Sequence, residues 1–213
     1  MKHIRASNYY LRNKKLSLLN NNSNKNKVNS DIKILTEIDD SIYNYNYIIK
    51  KDENDEKYII ITKYTGSKKI INIPEYINDI KVTQIGSGSN ILNEDVISII
   101  IPNTITTIYD GAFMNSSLKN INIRSSINKL GKSSFYNCTN LDEVYINCEN
   151  LITLEPNTFY NCINLTNVYL TEGLQNIESN CFKNCTSLNK IIIPSSVNNI
   201  DETAFEGCTE LNL

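Results

Sequence analysis

The sequence predicts a right-handed solenoid. It has a parallel β-sheet on one face, short helical or 3-10 turns on the other, and a β-hairpin over its N-terminal end. Three observations predict this. The five phenylalanines, Phe113, Phe135, Phe159, Phe182 and Phe205, recur at spacings of 22, 24, 23 and 23. Each sits in a similar block: AFMNSSL, SFYNCTNL, TFYNCINL, CFKNCTSL and AFEGCTEL. Between blocks, one stretch alternates apolar and polar residues and a second spaces apolar residues by three. A unit this short cannot enclose a core by itself, so its copies must shield one another by stacking.

Each element of the repeat follows from its spacing. Five residues past Phe113, and six past each later Phe, stands a leucine: Leu118, Leu141, Leu165, Leu188 and Leu211. Three and five residues further come the pairs Ile121/Ile123, Val144/Ile146, Val168/Leu170 and Ile191/Ile193. Period two marks a strand with one face buried. A second pair follows, spaced by three: Ile127/Leu130, Leu151/Leu154, Leu174/Ile177 and Val197/Ile200. That spacing suits a turn or a single helical turn. Upstream, Val96, Ile99/Ile101 and Ile105/Ile108 hold the same offsets. Ile71/Ile73, Val82 and Ile85 do so with a longer connection, and Asn90 is expected in the aromatic slot there, as suits an end unit. Six strand positions, near Ile71, Ile99, Ile121, Val144, Val168 and Ile191, make a parallel row roughly 30 Å long at about 4.8 Å per strand. Crossovers between parallel strands are right-handed.

Residues 41–65 contain two Tyr/Ile-rich alternating stretches joined by KDENDEK, the pattern of a hairpin. The expected organisation is therefore a basic, Asn-rich flexible tail at 1–40 and a repeat domain at 41–213. The domain divides into a hairpin cap at 41–65 and repeats at 66–213. Residues 1–30 carry seven basic residues and no acid, leaving −9 on the remainder of a chain of net charge −2. Such a segment, low in apolar residues over Asn20–Ser30, buries too little surface to offset its ordering entropy. It has neither the apolar block nor the cleavage site of a secretory signal. A solvated extension is the expectation, rather than an arm for nucleic acid or anionic lipid. No apolar run reaches membrane-spanning length.

Composition argues against most catalysis. The sole histidine is His3, so a Ser-His-Asp or Cys-His centre, or a His-bearing zinc site, has no imidazole within the repeats. GKSS at Gly131–Ser134 has Ser126 where a phosphate loop needs its first glycine, and IGSGSN around Gly86 and Gly88 lacks the third glycine of a dinucleotide fingerprint. Glu143, Glu155 and Glu172 fall at different points of the repeat and define no acid/base pair. Neither cofactor nor metal is expected. Cys138, Cys162, Cys185 and Cys208 share one position, three past Phe, and read as an inward ladder of reduced thiols. Strand spacing of about 4.8 Å is too wide for the ~3.8 Å that bonded Cβ atoms need. Cys148 falls off that ladder and is expected exposed. Asn115, Asn137, Asn161 and Asn184 read as a second ladder, bonding buried backbone of the turn rather than accepting glycans.

The residues IPSSVNNIDETAFEGCTEL and IPNTITTIYDGAF closely resemble BspA-like leucine-rich repeats of the roughly 23-residue Treponema type. The stretch Tyr45–Gly86 looks like the hairpin and first coil common in that family, so the resemblance covers about residues 41–213. It departs at Asn90 and in showing no dedicated C-terminal cap after Leu211. The fold it implies is a leucine-rich-repeat solenoid. The function it implies is non-enzymatic protein recognition, associated in the family with adhesion at bacterial or protist surfaces. The alternatives are an architectural or truncated segment of a larger repeat protein and, remotely, a hydrolase-type enzyme.

The expected binding surface is the outward face of the strand row. Ile100, Asn122, Tyr145, Tyr169 and Ile192 must point out between the inward pairs. Glu143, Asn167 and Lys190 share that face two residues earlier, with Ser98 and Asn120. An Ile-Asn-Tyr-Tyr-Ile stripe suits a protein interface, where Tyr is favoured. The alternative is that these are β-formers stabilising the sheet by stacking. The expected partner is a protein bound by a monomer, with no specific nucleic acid. The compartment stays open: reduced thiols and the missing export signal suit the cytoplasm, whereas the family resemblance suits a cell surface.

Overall fold

The structure, a computed structural model, describes residues 40–124 and 126–211. The tail reading of residues 1–39 lies outside them. A 3-10 helix at Asp40–Asn44 leads into β1 (Tyr45–Lys51) and β2 (Lys57–Tyr64), which pair antiparallel. β3 (Ile70–Asn72) opens the first coil. β4 (Tyr76–Ile77) then turns back antiparallel onto β5 (Ile80–Ile85). Thereafter longer and two-residue strands alternate: β6 (Ser98–Ile100) with β7 (Thr107–Ile108), β8 (Asn120–Ile123) with β9 (Lys129–Leu130), and β10 (Glu143–Ile146) with β11 (Thr153–Leu154). β12 (Asn167–Leu170) with β13 (Asn176–Ile177), and β14 (Lys190–Ile192) with β15 (Asn199–Ile200), complete the series.

The result is a parallel solenoid of about six turns, with a front and a back row of strands. In front, β3 pairs β6, and β8, β10, β12 and β14 pair parallel without register shift. A bond from Lys119 N–H to the Ile97 carbonyl (3.1 Å) joins the two groups. All six strand positions read from the sequence are present. The back row runs β2, β5, β7, β9 in parallel, and beyond it β11, β13, β15.

The back departs from the helical or 3-10 turns expected there, for a local reason. In four of the five three-spaced pairs the first residue closes a turn, as Ile105 N–H does to Pro102 O (3.2 Å) and Ile127 N–H to Arg124 O (3.0 Å). The chain then straightens, so that the second residue, such as Leu154 or Ile177, joins a parallel ladder. On the side carrying the phenylalanines, helix-like bonds do recur: Ala112, Met114 and Ser116 donate to Tyr109, Gly111 and Phe113. They never propagate into a helix. The intervening amides of Gly111, Phe113 and Asn115 donate instead to Lys132, Ser134 and Tyr136 of the next coil, at 2.8–2.9 Å. Two left-handed positions per coil impose this alternation. Gly111, Ser133, Asn157 and Asn180 lie two before Phe, and Asn115, Asn137, Asn161, Asn184 and Gly207 two after, all with positive φ.

The core is one continuous cluster threaded by an aligned column of rings. Successive phenylalanines from Phe113 to Phe205 stack at 5.2–5.3 Å between centroids, and the first four are fully buried. Stacks of this spacing add about 0.5–1.5 kcal/mol per pair beyond area burial. The column continues into Ile91, not Asn90. Ile91 N–H donates to Ala112 O (2.9 Å), just as Phe113 N–H donates to Ser134 O (2.8 Å), and Ile91 is fully buried. An extra residue between Gly88 and Ile91 moves the slot by one. Asn90 caps the turn instead, its Oδ1 accepting from Leu92 N–H at 2.9 Å.

Candidate functional site

The front row brings all eight candidate residues onto one face. Register pairs Asn122, Tyr145, Tyr169 and Ile192 across β8, β10, β12 and β14, with Ile100 continuing the column on β6. Glu143, Asn167 and Lys190 form the neighbouring column with Asn120. Alternation forces this arrangement: Val144/Ile146 and Val168/Leu170 face the core, so the residues between them face out. Two residues missed by the sequence reading extend the face. Asn72 pairs Ile100, and exposed Ile70 pairs Ser98, because β3 belongs to the same row.

The centre of this face is ordered by contacts among its own side chains. The Tyr145 and Tyr169 rings stack at 4.6 Å with 5° between planes. Lys190 Nζ lies 5.5 Å from the Tyr169 centroid, within cation–π range. Tyr145 OH donates to Glu143 Oε2 (3.1 Å), and Asn167 Nδ2 donates to Glu143 Oε1 (3.4 Å). The carboxylate that accepts from Tyr145 holds its phenol pKa above the ordinary value. The aromatic pair is flanked along the column by Ile192 at 65% exposure and, beyond Asn122, by Ile100 at 49%.

A second aromatic pair escaped the sequence reading. Tyr136 and Tyr160 stack at 5.0 Å and 6° on the phenylalanine side, half-buried, each immediately following its Phe. The signal was present in the repeated FYNC. Beside them the asparagines form their ladder, but not as expected. Asn137 Nδ2 donates to Asn115 Oδ1 (2.8 Å) and Asn161 Nδ2 to Asn137 Oδ1 (2.5 Å), along a half-exposed edge. The position is chosen for its left-handed backbone, which Asn tolerates and Gly207 takes without a side chain.

The cysteine position also has a specific role. Cys138, Cys162, Cys185 and Cys208 each donate from Sγ to the carbonyl of the Phe one coil back (Phe113, Phe135, Phe159 and Phe182), at 3.1–3.3 Å. All six cysteines are free thiols. Burial pushes the thiols of Cys138, Cys162 and Cys181 up. Cys185 is also raised, first by its bond to Cys208 and then by burial. Cys208, at the last coil and half-buried, is lowered by that same bond. Cys148 is corrected: it is buried, donates to Arg124 O at 2.7 Å, and desolvation raises its pKa to about 12. Its neighbours Asn147 and Glu149 gave no hint that it faces in. Among the described residues, no group of three or more metal-ligating side chains forms, and no helix is long and apolar enough to cross a membrane.

Comparison with known proteins agrees with this geometry. The BspA type leucine-rich repeat region matches residues 83–212 in six copies. Among solved structures, a leucine-rich repeat protein of T. pallidum is 22% identical, with a TM-score of 0.50 over 78% of this chain and 66% of its own. One from Eubacterium ventriosum is 23% identical, with a TM-score of 0.60 over 78% of this chain and 50% of its own. The chain thus spans less than two thirds of the length of either. No curated protein matches it significantly. Repeats of this kind suggest a protein-interaction scaffold and are typically non-enzymatic.

Proposed function

The chain belongs to the BspA-type leucine-rich-repeat family, and from that premise we propose a protein-interaction scaffold that takes its partner on the front strand row, centred on Tyr145 and Tyr169. The stacked pair carries the reading. Two phenols held face to face present a rigid, amphipathic surface with little side-chain entropy left to lose on binding. Isoleucines at 49% and 65% exposure lie along the same column and offer apolar area to a partner. Glu143, Asn167 and Lys190 supply a polar margin of the kind that rims interfaces. Adhesion through this face is the form of recognition proposed, and the scaffold acts as a monomer without catalysis.

The test uses a partner captured with the wild-type protein from the surface fraction of the native host. The double substitution Tyr145→Ser and Tyr169→Ser keeps the circular dichroism spectrum, since both side chains lie outside the core. Affinity for that partner falls by at least about tenfold, as for a central aromatic anchor. Unchanged affinity removes the front row as the site.

A further inference from the structure

The front face carries two periods. Each outward residue has an equivalent one coil on, at about 4.8 Å. Its apolar contacts, however, fall on alternate coils. Ile100 on β6, Tyr145 on β10 and Ile192 on β14 are exposed large hydrophobics, successively two strand steps or about 9.6 Å apart. Polar heads fill the coils between. Exposed Asn122 stands on β8. On β12 the Tyr169 ring is sandwiched between the Tyr145 ring (4.6 Å) and Lys190 Nζ (5.5 Å), so its hydroxyl is the part it offers. The neighbouring column keeps the two-step period in charge. Glu143 on β10 and Lys190 on β14 have opposite signs, and neutral Asn120 and Asn167 stand on β8 and β12.

Few chain conformations keep step with that period. An α-helix laid along the rod turns every ~5.4 Å, so two turns overshoot two coils by about 1.2 Å. A β-strand repeats its facing side chains every ~6.6 Å, which matches neither one coil nor two. Polyproline II has three residues per turn and rises about 3.1 Å for each, or about 9.3 Å per turn. From β6 to β14, four coil steps measure about 19.2 Å and six residue steps of that helix about 18.6 Å. The helix makes no internal hydrogen bonds, so its carbonyls need outside donors, and the exposed amides of Asn120 and Asn122 stand on this face. Resting on the front row as the docking face, we infer that the partner lays a proline-rich polyproline II segment along the rod axis, with every third residue on Ile100, Tyr145 and Ile192. Charge complementarity fixes its direction. A basic residue lies beside Glu143 and, three positions on, an acidic one beside Lys190.

The test is calorimetric titration of the full chain with a synthetic ten-residue peptide. It has proline at positions 1, 4 and 7, lysine at 5, glutamate at 8 and alanine elsewhere. It binds at least about tenfold more tightly than a peptide of the same composition with proline at 1, 5 and 9, lysine at 6 and glutamate at 10. I100A weakens binding about fivefold. E143K/K190E also weakens it about fivefold, and exchanging lysine and glutamate in the peptide restores affinity for that variant. These side chains point away from the core, so circular dichroism is unchanged. Equal affinity for the two proline spacings overturns the inference. So does an E143K/K190E protein that treats the two charge orders alike. A captured partner that needs Tyr145 and Tyr169 but is not displaced by the peptide overturns it too, and leaves the front-row reading standing. A captured partner indifferent to those tyrosines removes the front-row reading and this inference with it.

Discussion

The two ends of the rod start from the same repeat and meet water differently. At the N-terminal end the hairpin supplies Ile59, Ile61, Tyr45 and Tyr64, all buried, and β2 continues the back row beyond β5. The Tyr64 and Tyr45 rings pack at 5.3 Å, and Tyr45 OH donates to Asn72 O (2.9 Å), closing the front row as well. At the C-terminal end the described residues hold no such element. Ile177 is fully buried, and Ile200, its register partner one coil on, is 44% exposed. An apolar side chain in a solenoid is therefore buried by its two neighbouring coils rather than by its own. Stability is shared between nearest neighbours, and an end position has half of them.

The largest test of that comparison is the phenylalanine column. Phe159→Ala opens a cavity between two stacked rings and costs about 3–5 kcal/mol in chemical denaturation. Phe205→Ala, with one ring neighbour and partial exposure, costs less than half as much. Equal losses would show that the last coil is as enclosed as the middle. The same contrast holds for the aliphatic column: Ile177→Ala costs about 2–4 kcal/mol and Ile200→Ala about 1 kcal/mol or less.

A smaller effect separates the two uses of asparagine. Asn161→Ala forces an L-residue with a Cβ to keep φ near +59° and removes the bond to Asn137, costing about 1–2 kcal/mol. Asn161→Gly keeps the backbone and loses the ladder bond, at under about 1 kcal/mol. Gly207 already holds this position in the last coil, with φ +79°. If the glycine variant is the weaker of the two, the ladder rather than the backbone selects asparagine.

The thiols give the finest resolution of interior against end. Cys208 reacts first with Ellman's reagent, because it is partly exposed and its pKa is lowered, while the five buried thiols react only on unfolding. Cys148 carries a stability signature of opposite sign. Its folded pKa lies at about 12, above the ordinary thiol value of 9.0, so above pH 9 the unfolded chain binds fewer protons than the folded one. Its contribution is complete below pH 9 and is lost as pH rises towards 12. Cys148→Ala flattens that alkaline slope in urea titrations at pH 8 to 11.

Legibility of the fold followed the strength of the repeat. Five Phe with their Leu and strand pairs located every front strand, because a buried column tolerates few residue types and so leaves a visible period. Asn90 was misread because counting back by 23 crosses a turn with one added residue, and only the bond from Ile91 to Ala112 reveals the shift. The asparagines were read as buried backbone partners because an amide in a repeated turn fits two roles, and letters do not encode φ. Cys148 was misread because a residue outside the period carries no register to say which way it faces. The outward face was legible down to single residues, since a strand that turns Val144 and Val168 inward must turn Tyr145 and Tyr169 outward.

Periodic chemistry in the sequence thus determined by itself the coil length, the stacked core and the side of each front strand, because those depend on spacing and on the cost of wetting apolar side chains. The tertiary structure alone decided what the turns are made of, which way Cys148 faces and how far the tyrosine rings overlap. Those depend on hydrogen bonds and contacts between residues some 23 positions apart, whose geometry is settled only when one coil has another to lie against.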